Sequence, residues 1–278
     1  MEALQNTLTA AYQTITSNNC TNLVWINTLE SAPSPYTCQK CSITLIWRRA
    51  PYIDRTGTYA YRREECDCER AAREAEELAE RKQLTLRNLR AYSGITGWLC
   101  EASFENIEAR PGIEEAIKAA RAFTELPLRN DTLIFSGAFG CGKTHLAAAI
   151  CNVLVEKLVR VRWLNADQYM QACLGAWRTH GEKIARPDEP PKDAPLLVLD
   201  ELAPSKIEPA WQSDLYAIIN PRYQSQLPMI VTTNQRTPSA LGDAIGGRLL
   251  DRLLHRARWV DITASSYRMR EYSERKRG

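Results

Sequence analysis

Eight consecutive residues constrain this chain more than any others. Gly137-Ala138-Phe139-Gly140-Cys141-Gly142-Lys143-Thr144 fits the pattern G-x-x-x-x-G-K-[ST] of a phosphate-binding loop. Such a loop works only between a strand and a helix. Its glycines let the backbone turn sharply, so that successive N–H groups face phosphate oxygens. The helix that follows adds the positive end of its dipole. Lys143 then reaches the β- and γ-phosphates of ATP, and the Thr144 hydroxyl ligates Mg²⁺. Both flanks suit the motif: TLIFS (132–136) reads as an apolar strand, and HLAAAICNVLVEKL from His145 as an amphipathic helix. Residues 137–145 are the candidate nucleotide-binding stretch.

The rest of the C-terminal part agrees with that anchor. Short apolar runs at 132–136, 160–165, 196–200, 229–234 and 258–263 alternate with helical patterns near 143–157, 166–175, 209–226 and 238–255. Unbroken apolar strands alternating with helices predict an α/β fold, with a parallel five-stranded sheet covered on both faces. Segment 176–195 carries four prolines and reads as a loop.

The run Leu196-Leu197-Val198-Leu199-Asp200-Glu201 brings two acids to a strand's C-terminal end, where open α/β sheets bind ligands. Asp200 is expected in the Mg²⁺ shell. Glu201 is expected to orient and deprotonate an attacking water. A small-molecule kinase has no need of a water-activating glutamate here, so the pair favours ATP hydrolysis. Asn234 ends another strand, placed to reach the γ-phosphate or the water; capping of the next turn is the alternative. Arg248, Arg252 and Arg256 share one helical face. They fit either a solvated surface or an arginine offered to a neighbouring subunit's phosphates.

The front of the chain has a different texture. Five of nine cysteines lie before residue 73. No run approaches the ~18 apolar residues of a membrane span, which predicts no membrane partner. The polar start from Met1 has no signal-like pattern, which predicts a cytoplasmic, reducing setting. There, clustered cysteines point to metal rather than disulfides. Cys38-x₂-Cys41 and Cys66-x-Cys68 predict a Cys₄ zinc site, with an iron–sulfur cluster as the alternative and Cys20 as a substitute ligand. SITLIW and TYAYRR, around a turn at Arg55 to Gly57, suggest a small ribbon. Residues 69–90 are rich in helix formers, with Glu69/Arg73 and Glu77/Arg81 spaced for ion pairing. The expected organisation is a helical or irregular segment 1–29, a zinc-ribbon-like domain 30–72, a helical linker 73–100 and an ATPase domain 101–278. Net charge is +3, but the stretch from Arg248 onward carries a local +5, a hint of a polyanion.

Several stretches together resemble the AAA+ P-loop ATPases of the bacterial and phage replicative helicase-loader family, the DnaC/DnaI type. They are SFEN (103–106), LIFSGAFGCGKTHLAAAICN (133–152), LLVLDEL (196–202), VTTN (231–234), GRLLDRL (247–253) and SYRMREY (266–272). The resemblance covers about 60% of the chain, residues 101–273. It implies that Asn234 is sensor 1, that Arg252 is the arginine finger with Arg248 the alternative, and that Arg268 is sensor 2. It also implies a hexameric replicative helicase and single-stranded DNA as partners, and self-association through the ATP sites. Loaders carry variable front domains, so residues 30–72 are assigned to helicase contact. DNA contact through Arg48, Arg49, Arg62 and Arg63 with Trp47, Tyr59 and Tyr61 is the alternative. Only ten residues follow Arg268, too few for a full helical lid. The related IstB transposition helpers share that feature and are the second reading. A zinc-dependent adaptor that ATP merely organises is the third.

Overall fold

The computed structural model describes residues 23–28, 32, 34–53, 59–125, 128, 131–171, 194–203, 207 and 209–276. Cys20, Cys173, the turn expected at Arg55 to Gly57 and most of segment 176–195 lie outside them. The chain divides into two compact units, Met1–Lys82 and Gln83–Gly278. Among the described residues no helix is long and apolar enough to cross a membrane.

In the first unit, β1 (Leu23–Thr28), β4 (Arg48–Ile53) and β5 (Tyr59–Glu64) form an antiparallel sheet of order β1-β5-β4. Between β1 and β4, β2 (Tyr36–Thr37) and β3 (Thr44–Leu45) pair as a short hairpin around Cys38 and Cys41. Residues 23–28, read from the sequence within a helical or irregular segment, are instead a strand. LVWINT is rich in β-branched and aromatic residues, and it pairs along its whole length with β5.

Helix α1 (Asp67–Ser93) begins with Asp67 and Glu69 in its first turn, favourable at the positive helix end. It stops before Gly94, whose φ of 73° lies in the left-handed region. The division between the units falls within it. Glu69 pairs with Arg63, and Arg73 pairs with Glu65 and Glu77.

In the second unit, β6 (Thr132–Gly137), β7 (Val161–Asn165), β8 (Leu196–Asp200), β9 (Met229–Thr233) and β10 (Ala257–Ile262) form one parallel sheet. Its order is β10-β6-β9-β8-β7. Its helices include α2 (Glu114–Phe123), α3 (Lys143–Glu156), α4 (Pro209–Gln224), α5 (Pro238–Ile245), α6 (Gly247–Leu254) and α7 (Tyr267–Arg275).

Alternation along the strands builds a core on each face. Leu133, Phe135, Leu196 and Val198 pack with Ile113, Leu146 and Ile150 from the α2–α3 side. Ile134, Leu197 and Leu199 pack with Leu215, Ile219 and Leu253 from the α4–α6 side. Each such fully buried side chain contributes about 1.5–3 kcal/mol. The expected helical stretch 238–255 splits in two at Gly246, which has a φ of 93°. A Cβ there would also lie 3.0 Å from the Gln212 carboxamide oxygen.

The strand order positions the site. β9 lies between β6 and β8, so the phosphate loop after β6 and the acids after β8 stand two strand spacings apart, roughly 10 Å. That gap is wide enough for phosphate and its cation.

Candidate nucleotide and metal sites

The loop leaves β6 at Gly137 and enters α3 at Lys143. The cap residue of α3, Gly142, offers no side chain to the first N–H groups, which stay free for an anion. Lys143 is buried; its ammonium donates to the Gly137 carbonyl at 2.9 Å and the Ala138 carbonyl at 2.8 Å. Burial holds its pKa below the usual lysine value.

The Thr144 hydroxyl donates to Asp200 Oδ1 at 3.0 Å, and Thr232 Oγ1 donates to the same oxygen at 2.6 Å. Asp200 is buried, which pushes its carboxyl up; the two hydroxyls oppose that rise. Adjacent oxygens on an octahedral Mg²⁺ sit about 2.9 Å apart. Thr144 and Asp200 therefore already have the spacing of neighbouring ligands.

Glu201 follows with a φ of 56°. Its N–H donates to Thr232 Oγ1 at 2.9 Å, and its carboxylate accepts from Asn165 Nδ2 at 2.9 Å. Asn234 follows the last residue of β9 and is half-buried. Asn165 and Thr232 went unremarked in the sequence. Asn165 closes an apolar strand as Asn234 does, so its signal was present but had no partner to give it meaning.

A cavity of about 400 Å³ adjoins the loop. Gly140, Lys143, Thr144 and His145 line it, with Arg268 and Tyr267 from α7 opposite. The Tyr267 N–H donates to the Gly140 carbonyl at 3.0 Å. A Cβ on Gly140 would lie 2.3 Å from Ser266 Oγ, so the close approach of α7 to the loop requires glycine there. The His145 ring donates through Nε2 to the Ser103 carbonyl at 2.9 Å, which anchors the SFEN turn.

Arg110 was also missed. It lines the same cavity and is 7% exposed. Its guanidinium donates to the Ser265 carbonyl at 2.5 Å and the Cys141 carbonyl at 3.4 Å. It thereby ties the phosphate loop to the segment that launches α7.

Arg252 is not among the residues lining this cavity. Its Nε donates to Asn220 Oδ1 at 2.9 Å, and its guanidinium lies 4.9 Å from the centre of the Tyr216 ring. Arg248 lies over the same ring at 4.1 Å and donates to the Tyr216 hydroxyl.

In the first unit the sulfurs of Cys38, Cys41, Cys66 and Cys68 all lie within 4.8 Å of one another. Four thiolates on a tetrahedral zinc stand about 3.8 Å apart, so the cluster fits that ion after a small contraction. The tight C-x-C spacing has a local cause. Cys66 precedes α1, whose Arg70 N–H donates to its carbonyl, and Cys68 sits in the first turn. The bend brings both sulfurs to one side. The backbone N–H groups of Cys41 and Lys40, with the Cys66 thiol, bring Cys38 down to about 7. Outside the sulfurs, the Cys66 N–H donates to Glu69, which is held by a two-pronged pairing with Arg63.

A parallel sheet of this order, with a phosphate loop after β6 and buried Asp200 two strands away, defines a P-loop ATP-binding protein of the AAA+ class. The comparisons agree. Residues 73–275 match the family described as IstB-like ATP binding protein, and the chain belongs to that family. It is 29% identical over 214 residues to the replicative helicase loader DnaC of Escherichia coli strain K12, covering 76% of this chain and 85% of that one. It is 28% identical over 167 residues to the insertion sequence IS21 putative ATP-binding protein of Pseudomonas aeruginosa, covering 58% and 62%. The crystal structure of the DnaC helicase loader matches with a TM-score of 0.51 at 22% identity, covering 60% of this chain and 100% of that one. The crystal structure of DnaI matches with a TM-score of 0.50 at 22% identity, covering 62% and 94%. These structures share the fold.

Proposed function

We propose that the protein is an ATP-dependent loader that delivers a hexameric replicative helicase onto single-stranded DNA. The observation that carries this reading is the extent of its likeness to DnaC, which spans 214 residues and 85% of that loader. Its likeness to the IS21 protein spans 167 residues and 62%.

The site residues take the following roles. Lys143 exchanges the Gly137 and Ala138 carbonyls for phosphate oxygens. Thr144 and Asp200 hold Mg²⁺, which when bound neutralises phosphate charge. Glu201 orients a water and accepts its proton, and Asn234 positions that water from the end of β9. Arg268 reaches the phosphates from α7. Arg252, held on Tyr216 away from its own chain's cavity, completes the site of a neighbouring copy. Self-association through ATP sites would bring Arg252 to that neighbour's phosphates. Cys38, Cys41, Cys66 and Cys68 hold Zn²⁺, and their unit contacts the helicase. The setting is cytoplasmic.

Capture of the source cell's replicative helicase by the tagged protein tests this reading. ATP-dependent association with the helicase ring is expected, with hydrolysis that rises with protein concentration. ATP turnover of Arg252→Ala equal to wild type in assembled complexes would show that Arg252 finishes no neighbour's site.

The family match favours a second reading, an IstB-like transposition helper. It predicts preference for duplex DNA and no helicase association.

A further inference from the structure

The acids of the nucleotide site sit in a turn that its own residues disfavour. The β8–β9 register runs from Leu197↔Met229 to Leu199↔Val231, so Asp200 and Glu201 lie just beyond it. Glu201 has a φ of 56° and Ala203 a φ of 52°. Both are non-glycine residues in the left-handed region, where a Cβ is unfavourable. Two such residues within three positions persist only where the surroundings over-determine them. Leu202 and Ala203 are fully buried, so water does not serve their backbone groups.

The surroundings are the end of β9. Thr232 and Thr233 are fully buried, and each hydroxyl bridges two groups. Thr232 Oγ1 donates to Asp200 Oδ1 and accepts from the Glu201 N–H. The Leu202 N–H donates to the Thr232 carbonyl at 2.8 Å. Thr233 Oγ1 donates to the Leu202 carbonyl at 2.8 Å and accepts from the Gln235 N–H at 3.1 Å. Gln235 Nε2 in turn donates to the Ala203 carbonyl at 3.1 Å. Each residue of the turn 201–203 is thus held from β9 or from the residues that follow it. Asn234 lies between Thr233 and Gln235, the two side chains that grip the turn's carbonyls.

We infer that Thr233 and Gln235 are positioning residues for ATP hydrolysis. They fix the turn that carries Glu201 to the segment that carries Asn234, and so set the gap in which the attacking water is held. Neither has to touch the nucleotide, because both act through Glu201 and Asn234. The hydroxyl at position 233 matters because a methyl group there would leave the buried Leu202 carbonyl and the Gln235 N–H without that partner. The inference rests on the reading of Glu201 as base and Asn234 as the residue that places its water. Phosphate and cation are held by other residues, so a shift in this gap slows the chemical step and spares binding.

The test uses the full chain with Mg²⁺–ATP, at a protein concentration where wild-type turnover has levelled off. Thr233→Val keeps the side-chain shape and removes the hydroxyl. Its kcat should fall about ten- to a hundredfold, the penalty of a misplacement of about 1 Å. Affinity for a fluorescent ATP analogue should stay within about twofold of wild type. Gln235→Leu should act in the same direction with a smaller fall. Thr233→Ser should recover most of the lost turnover. A cycle with Asn234→Ala separates positioning from mere support. Thr233→Val should slow Asn234→Ala several-fold less than it slows wild type, because the residue whose place it sets is already gone.

Fully additive effects in that cycle would give Thr233 a structural role and overturn the inference. So would an unchanged kcat in both single variants, or a parallel loss of ATP affinity. If Thr233→Val does not fold, Gln235→Leu, at a half-buried position, carries the same cycle. Failure of the underlying reading has its own signature. Glu201→Gln turning over ATP as fast as wild type would remove the base, and the inference with it.

Discussion

The two units differ in what lies at their centres. The second has a sheet with three fully buried strands and an apolar core on each face. In the first, the buried side chains include Cys38, Tyr61 and Cys66. Two of those three are sulfur ligands in the cluster. The sulfurs of Cys38, Cys41, Cys66 and Cys68 are gathered where a metal ion, once held, would add folding free energy. The same chain thus sets a fold built on hydrophobic contact beside a unit built around four clustered sulfurs.

The largest effect should come from removing the proposed zinc. Cys38→Ser, or a strong chelator, is expected to unfold the first unit while the second still binds ATP. Circular dichroism and zinc content, measured beside nucleotide binding, check this. Loss of both units together would erase the distinction drawn between them.

Next in size is the second unit's core. Leu199→Ala removes a fully buried side chain from the α4–α6 face and should cost about 2–5 kcal/mol in denaturant melts. Zinc content should not change.

Lys143→Ala acts on the site rather than the fold. It removes charge-assisted bonds to phosphate, so ATP affinity should fall about a hundredfold with stability nearly intact. Arg110→Gln should have a smaller effect on ATP affinity, because it loosens the tie between the Cys141 and Ser265 carbonyls without removing a phosphate ligand. Fluorescent nucleotide titration orders the two.

The smallest effect belongs to Glu77→Gln. Its pairing with Arg73 is exposed, and exposed pairs contribute close to nothing. A melting curve should not distinguish it from wild type.

Much of the nucleotide site was legible because its signals are local. The phosphate loop, the apolar run ending in Asp200-Glu201 and the strand ending before Asn234 each declare themselves within a dozen residues. All five strands of the parallel sheet fall where the apolar runs predicted. The misses share one cause. Arg110 acts on carbonyls 31 and 155 residues away, and Asn165 on a carboxylate 36 residues away. No short window contains both partners. The Glu69/Arg73 spacing was read correctly as spacing, yet Glu69 pairs with Arg63, which the sheet delivers beside it.

The sequence by itself determined the chemistry available: a phosphate loop, two acids at a strand end, four cysteines in two close pairs, and a basic excess from Arg248 onward. Residue type and short-range spacing suffice for that, because turns, helix starts and strand alternation are local properties of the backbone. Only the tertiary structure decided which groups meet. It placed β9 between β6 and β8, joined Asp200 to Thr144 through that gap, and set Arg252 on Tyr216 away from the cavity. Those outcomes depend on strand order and register, which arise from pairing between segments far apart in the chain.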